Sequence, residues 1–290
     1  MGRTVWTILA LIRWADERFK KEGLATPRLD AEVLLAEALA TDRVGLYTHF
    51  DQPLRPDELA RFKELIRRRL RREPVAYIIG KREFWSLPFR VTPDVLIPRP
   101  ETETLVAEAL KMLTPAERKD SRILEIGTGS GAISIALARE LPAAKVVATD
   151  LSPKALAIAE ENALRSGVRE RIQFLPGNLF DPVEKGEAFD LIVTNPPYIP
   201  RGEFPALLPE IRDYEPKVAL DGGKDGLDFF RRVLPAAGEH LRPGGWFLAE
   251  MGAGQDPQIL KIAAKSPDLD SFSFAKDLSG INRVFKARKK

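Results

Sequence analysis

A chain of 290 residues with 44% hydrophobic content can bury a sizeable core, as one large domain or as a large domain with a small one. The absence of cysteine excludes disulfides, thiolate zinc sites and a cysteine nucleophile, and the only two histidines, His49 and His240, lie too far apart in sequence to suggest a metal cluster, so no metal is expected. A net charge of +3 and a pI near 9.0 are a mild basic bias, which permits a phosphate-bearing partner without requiring one.

No window approaches the roughly 20 apolar residues that cross a bilayer. The opening MGRTVWTILALIRWADERFKK lacks a small-residue cleavage site and continues as an amphipathic pattern. The expectation is a soluble, unprocessed, cytoplasmic protein with no membrane partner.

Up to about Glu73 the pattern is helical. Val5, Ile8, Leu9, Ile12 and Trp14 precede a stop at Gly23, and Leu29, Val33, Leu34 and Leu39 mark a second helix. Pro56 opens a third, in which Phe62, Leu65, Ile66 and Leu70 fall at helical spacing while arginines between Arg61 and Arg72 fill the other faces. Those arginines read either as a solvated face or as a contact surface for an RNA-containing assembly. Residues 1–74 are therefore expected to form a small all-helical domain. Residues 75–100, including YIIGKREFWSLPFRVTPDVLIPRP, read as an extended, proline-punctuated, hairpin-like linker.

From residue 101 to 290 strands alternate with helices. ETETLVAEALKML is a helix, and RILEI, KVVAT, IQFLP, FDLIVT and GGWFLAEM are apolar strands, with FSFAKDL and NRVFKAR as a closing pair. Ser152 and Pro153 supply an N-cap and a first-turn proline for a helix that Gly167 ends. This alternation argues an α/β fold with a doubly wound, mostly parallel sheet and a ligand at the carboxyl ends of its strands.

Gly127-Thr128-Gly129-Ser130-Gly131 stands between the first of these strands and its helix. Glycines there permit positive φ and close backbone approach, and the helix N-terminus offers free N–H groups. Asp150 ends the second strand about 20 residues on, where a carboxylate can take both hydroxyls of a ribose. A nicotinamide-binding fold uses similar logic, but its usual spacing is G-x-G-x-x-G, whereas this loop is G-x-G-x-G. Glu125, just before the loop, is a candidate for positioning it or meeting a cationic ligand.

Thr194-Asn195-Pro196-Pro197-Tyr198 then narrows the cofactor class. Consecutive prolines have no N–H to donate, so their carbonyls are acceptors without competing donors. An amide side chain beside such a carbonyl suits a planar –NH2 group, with Tyr198 covering its face. This points to methyl transfer from S-adenosylmethionine to a planar amine or amide nitrogen.

Taken together, PVAYIIGKREFWSLPFRVTPDVLIPRPETE, EIGTGSGAISIAL, FDLIVTNPPYIP, YEPKVALDGGKDGLDFFR, LRPGGWFLAEMGAGQ and DLSGINRVFKAR resemble the bacterial release-factor glutamine N5-methyltransferases (the PrmC/HemK family) over nearly the whole chain. NPPY alone is shared with adenine and guanine amino-methyltransferases, while FW-x-LPF-x-V, IPRPETE and YEP-x-x-AL-x-GG-x-DGLD are more specific. The resemblance implies a class I S-adenosylmethionine-dependent methyltransferase, Rossmann-like, with a seven-stranded mostly parallel sheet. The reaction it implies is methylation of the glutamine in the Gly-Gly-Gln motif of class I peptide chain release factors. The helical domain is expected to be the docking surface, because the catalytic cleft alone must recognise a glutamine presented on a whole protein. The resemblance further implies that the loop from Gly127 to Gly131 and Asp150 hold the cofactor, that Asn178 and Leu179 lie near the adenine, and that Asn195, Pro196, Pro197 and Tyr198 hold the acceptor glutamine. Relatives commonly carry aspartate at the position of Asn178, so weaker adenine readout is expected. A monomer that does not bind DNA is expected, and the nearest alternative is a nucleic-acid adenine or guanine amino-methyltransferase.

Overall fold

The computed structural model describes residues 6–113 and 120–290; Val5 and the first residues of the N-terminal stretch searched for a cleavage site lie outside them. The chain divides into two compact units, Met1–Gly80 with Pro209–Tyr214, and Lys81–Leu208 with Glu215–Lys290. Among the described residues no helix is long and apolar enough to cross a membrane.

The first unit contains α1 (Ile8–Lys21), α2 (Pro27–Leu39), α3 (Arg43–Thr48), α4 (Pro56–Leu70) and α5 (Val75–Ile79). The side chain of Thr7 caps α1 by accepting from the Ala10 amide, Asp42 caps α3 through Gly45, and Pro27 and Pro56 sit in first turns where their missing N–H costs nothing. Leu11, Ile12, Leu34, Leu35, Phe62 and Ile66 close the core. The segment expected to begin a linker instead starts with α5: Tyr77 and Ile78 are buried, and Gly80 ends the helix in the left-handed region. Apolar residues at helical spacing found a core to enter, which overrode the extended reading.

The arginines of α4 are largely engaged within this unit. Arg69, 5% exposed, bonds Asp30 at 2.7 Å and Glu210 at 3.1 Å, Arg61 reaches Glu37 at 3.2 Å and Arg67 reaches Glu64 at 3.0 Å, while Arg68 pairs with Glu73. Glu210 comes from α9 (Pro209–Arg212), and Tyr214 nearby donates to the Arg71 carbonyl at 2.6 Å. That segment's membership of the helical unit was not foreseen.

The second unit begins with the hairpin of β1 (Lys81–Phe84) and β2 (Leu87–Arg90). It is no free linker: Phe84 and Phe89 are buried in the core, and Asn162 both accepts from the Arg90 amide at 2.8 Å and donates to its carbonyl at 3.0 Å. After a 3-10 turn at Pro100–Thr102 come α6 (Glu103–Met112), β3 (Arg122–Ile126), α7 (Ala132–Glu140), β4 (Lys145–Asp150), α8 (Pro153–Arg165), β5 (Ile172–Pro176) and β6 (Phe189–Thr194). They are followed by α10 (Asp228–Ala237), β7 (Leu241–Glu250), α11 (Asp256–Ala263), β8 (Leu269–Lys276) and β9 (Asn282–Lys289).

Among the described residues the main sheet has seven strands in the order β5-β4-β3-β6-β7-β9-β8, parallel except where β9 pairs with β7 and β8. Side chains alternate across it as the two-residue period of a strand requires. Ile123, Val146, Leu191 and Leu248 face α6 and α7, whereas Leu124, Val147, Ile192 and Phe247 face α10 and α11. Burial on both faces explains why these strands are nearly continuous apolar runs. The order reverses between β3 and β6, which is where an open α/β sheet gathers its ligand.

Candidate active site

A cavity of about 450 Å³ opens at the carboxyl ends of β3, β4 and β6, within the usual range for ligand pockets. Its wall includes Gly127, Thr128, Gly129 and Ser130 from the loop after β3, Asp150 from the end of β4, and Asn178 and Leu179 after β5. Asn195, Pro196 and Pro197 after β6 complete that side. The sheet order thus brings together four segments that the sequence separates.

The glycine loop is bent back over β4. Gly127 and Thr128 donate to the Thr149 carbonyl at 2.8 and 3.0 Å, and Gly129 donates to Asp150 Oδ2 at 2.8 Å. Gly127 and Gly129 have φ of +74° and +55°, and a Cβ on either would meet nothing within 4 Å, so they supply backbone freedom and open space for a ligand. Gly131 departs from the expectation that it lines the cavity. It sits against α8, where a Cβ would stand 3.1 Å from that of Ala159; it is a packing glycine.

Asp150 also accepts from the Ser152 amide at 2.8 Å, so backbone donors aim its carboxylate. Burial pushes its pKa up, against those amide bonds. Glu125 is 1% exposed and receives Thr128 Oγ1 at 2.6 Å and the Ser134 amide at 3.0 Å, both on Oε2. The Ser134 hydroxyl donates to the same oxygen. Burial raises Glu125 to about 7. Loop, helix N-terminus and a carboxylate in the cavity wall are thus tied into one rigid piece.

Asn195 is held from behind. Its Nδ2 donates to Thr102 Oγ1 at 3.0 Å, and Thr102 donates to Glu250 Oε2 at 2.6 Å. Among the described residues no donor is paired with the Pro196 carbonyl. Tyr198, expected to cover the held group, does not line the cavity. Its hydroxyl donates to Glu250 Oε1 at 3.1 Å, and its carbonyl accepts from Gln255 Nε2 at 2.9 Å, so both its side chain and its backbone are held. Burial, then the neighbouring Glu250 charge, push the phenol pKa well above its ordinary value.

The loop is clamped by the segment carrying Gly222 and Gly226. Ile199 donates to the Leu220 carbonyl at 3.0 Å and Gly222 to the Ile199 carbonyl at 2.9 Å. A Cβ on Gly222 would stand 2.8 Å from the Tyr198 backbone, so only glycine allows this approach. Thr102, Glu250 and Gln255 were not singled out from the sequence. The local signals available were an acid ending the apolar strand FLAE and a threonine inside IPRPETE.

The residues fit S-adenosylmethionine: open glycine backbone at a helix start, one carboxylate aimed by amides, a second buried beside it, and an amide at the far wall. The PrmC N-terminal domain family matches residues 10–80, and the Methyltransferase small domain family matches residues 102–206. A release factor glutamine methyltransferase of Geobacter sulfurreducens is 48% identical over 98% of this chain and 97% of its own length. One of Rhodopirellula baltica is 39% identical over 99% of this chain and 97% of its own. In fold, the crystal structure of a methyltransferase from Pyrococcus furiosus covers 70% of this chain and 89% of its own, with a TM-score of 0.52 and 23% identity. By its full-length likeness to these relatives the chain belongs to the release factor glutamine methyltransferases, a family of S-adenosylmethionine-dependent enzymes.

Proposed function

We propose that this chain transfers a methyl group from S-adenosylmethionine to the side-chain amide nitrogen, N5, of the glutamine in the Gly-Gly-Gln motif of class I peptide chain release factors. The observation that carries the reading is the Asn195 amide, whose –NH2 end is committed to Thr102 and whose Oδ1 is left as an acceptor beside the Pro196 carbonyl.

An amide nitrogen is a poor nucleophile because its lone pair is delocalised into the carbonyl, so geometry must compensate. Asn195 Oδ1 and the Pro196 carbonyl accept the two N–H bonds of the glutamine and aim the remaining face of the nitrogen along the transfer direction. Fixing both reactants in this way can lower a barrier by up to roughly 7–11 kcal/mol. When bound, S-adenosylmethionine supplies an electrophilic sulfonium methyl. Asp150 holds the ribose hydroxyls, Gly127 to Ser130 give the backbone approach, and Glu125 faces the cationic end. Asn178 and Leu179 border the adenine, where the Asn178 side-chain oxygen accepts in place of the usual acid. One of the two held protons leaves to solvent once the nitrogen carries its methyl.

The helical unit is the docking surface in this reading, since a cleft alone must recognise a glutamine presented on a whole protein. The enzyme acts as a cytoplasmic monomer on release factors rather than on DNA. A nucleic-acid amino-methyltransferase would want a flipped-base pocket and a basic recognition domain, and the arginines of α4 are largely spent on intramolecular carboxylates. Radiolabelled methyl transfer to purified release factor, set beside tRNA, rRNA and DNA, tests the proposal: label on the nucleic acids and none on the release factor would overturn it.

A further inference from the structure

The side chains behind the NPPY loop form one hydrogen-bonded chain that ends on a carboxylate. Asn195 donates to Thr102, Thr102 donates to Glu250 Oε2, and Tyr198 donates to Glu250 Oε1. Thr102 and Glu250 are 3% and 1% exposed, so water does not compete for these bonds. Burial raises the Glu250 pKa, while the Thr102 and Tyr198 bonds and the charge of Arg283 oppose that rise. Thr102 and Tyr198 each donate to a different oxygen of the carboxyl, so both neighbouring side-chain donors are spent on it.

The polarity of the chain follows from donor counting. A threonine hydroxyl has one proton to give, and that of Thr102 goes to Glu250 Oε2. Once that proton is committed to Glu250, the Thr102 oxygen can only accept from the side of Asn195, and only the –NH2 end of that amide can meet it. Oδ1 is then turned to the cavity. With the amide reversed, an –NH2 group would confront the –NH2 group of the substrate and the bond would be lost.

We infer that Glu250, acting through Thr102, is a positioning residue that sets the orientation of the Asn195 amide, so that an acceptor and not a donor meets the glutamine to be methylated. The inference rests on the role given to Asn195 above. It assigns a task to two residues contributed by the turn before α6 and by the end of β7.

The test uses Thr102→Val, which keeps the shape and removes both bonds, Thr102→Ser, which restores the hydroxyl, and Glu250→Gln, whose amide can donate and so releases the polarity. Each is compared with Asn195→Ala for kcat and KM on intact release factor, and for S-adenosylmethionine affinity by calorimetry. T102V and E250Q are expected to lower kcat about 10–100-fold, by analogy with loss of the outer partners that orient metal ligands, with cofactor affinity nearly unchanged. T102S should recover most of the rate, and T102V added to N195A should cost little more than N195A alone. Normal turnover by T102V beside a slow N195A would overturn the positioning role and leave the role of Asn195 standing. Equal losses in T102V and T102S would also overturn it, because packing would then be the only contribution. Normal turnover by N195A would remove the role of Asn195 itself, and this inference with it. Should T102V not fold, E250Q decides: full activity overturns the inference, and a kcat loss at unchanged cofactor affinity upholds it.

Discussion

Gly131 and Ala159 set how closely α7 approaches α8: a Cβ on Gly131 would stand 3.1 Å from the Ala159 Cβ and 3.0 Å from Ile135 Cδ1, at a φ of +82°. Gly131→Ala therefore combines overpacking with left-handed strain and should cost about 1–3 kcal/mol of stability. Chemical denaturation measures this, and an unmoved midpoint would contradict the packing role.

Asn195→Ala removes one aimed polar group from a preorganised site. Turnover of release factor should fall about 10²–10³-fold while cofactor affinity changes little. Near-normal turnover in a steady-state assay would sink the role assigned to Asn195.

Asp150→Ala deletes a carboxylate aimed by the Gly129 and Ser152 amides. Hydrogen bonds to a charged group contribute about 1.5–3 kcal/mol, so S-adenosylmethionine should bind about 10–150-fold more weakly. Calorimetry showing unchanged affinity would exclude the ribose contact.

Glu125 carries a pH signature. Burial raises its pKa from 4.5 to about 7, so between those values the folded chain holds a proton that the unfolded chain has released. Its contribution to stability is full below pH 4.5 and is lost as the pH rises to about 7. At about 1.4 kcal/mol per unit the loss is on the order of 3 kcal/mol. Between pH 5 and pH 8 the ligand-free protein should lose more unfolding free energy than its Glu125→Gln variant. Parallel pH profiles for the two would show that Glu125 is not the titrating group.

Arg69→Ala strands Asp30 and Glu210 without the guanidinium that both contact in the helical unit. Breaking a buried pair from one side costs about 3–5 kcal/mol. Urea unfolding should show a loss of this size, and Arg67→Ala on the same helix, whose partner Glu64 is exposed, should show almost none.

Much of the site was legible because its signals are local. An apolar run, a glycine triplet at a strand end, an acid closing the next strand and a proline pair after an asparagine each report on their own few residues. Periodicity and φ restriction act over that range, and all seven strands of the sheet were marked by it. The same locality explains the misreadings. Ile78 looked extended until a helical core received it, Gly131 looked like its two neighbours until α8 was set against it, and Arg69 looked like part of a solvated or RNA-contacting face until Asp30 on α2 and Glu210 on α9 met it.

The sequence alone determined the chemical class of the cavity wall: glycines and an acid for a nucleoside-bearing cofactor, and an amide with a donor-free proline carbonyl for an –NH2 group. Only the tertiary structure decided how that amide is held. Asn195 and Thr102 are 93 positions apart, and Thr102 and Glu250 are 148. They meet because β6 lies between β3 and β7, with Thr194 in register with Ile126 on one side and Ala249 on the other. Strand order is settled by the packing of whole elements, and the direction of a buried hydrogen bond by every partner along its chain, so neither can be read from a window of neighbouring residues.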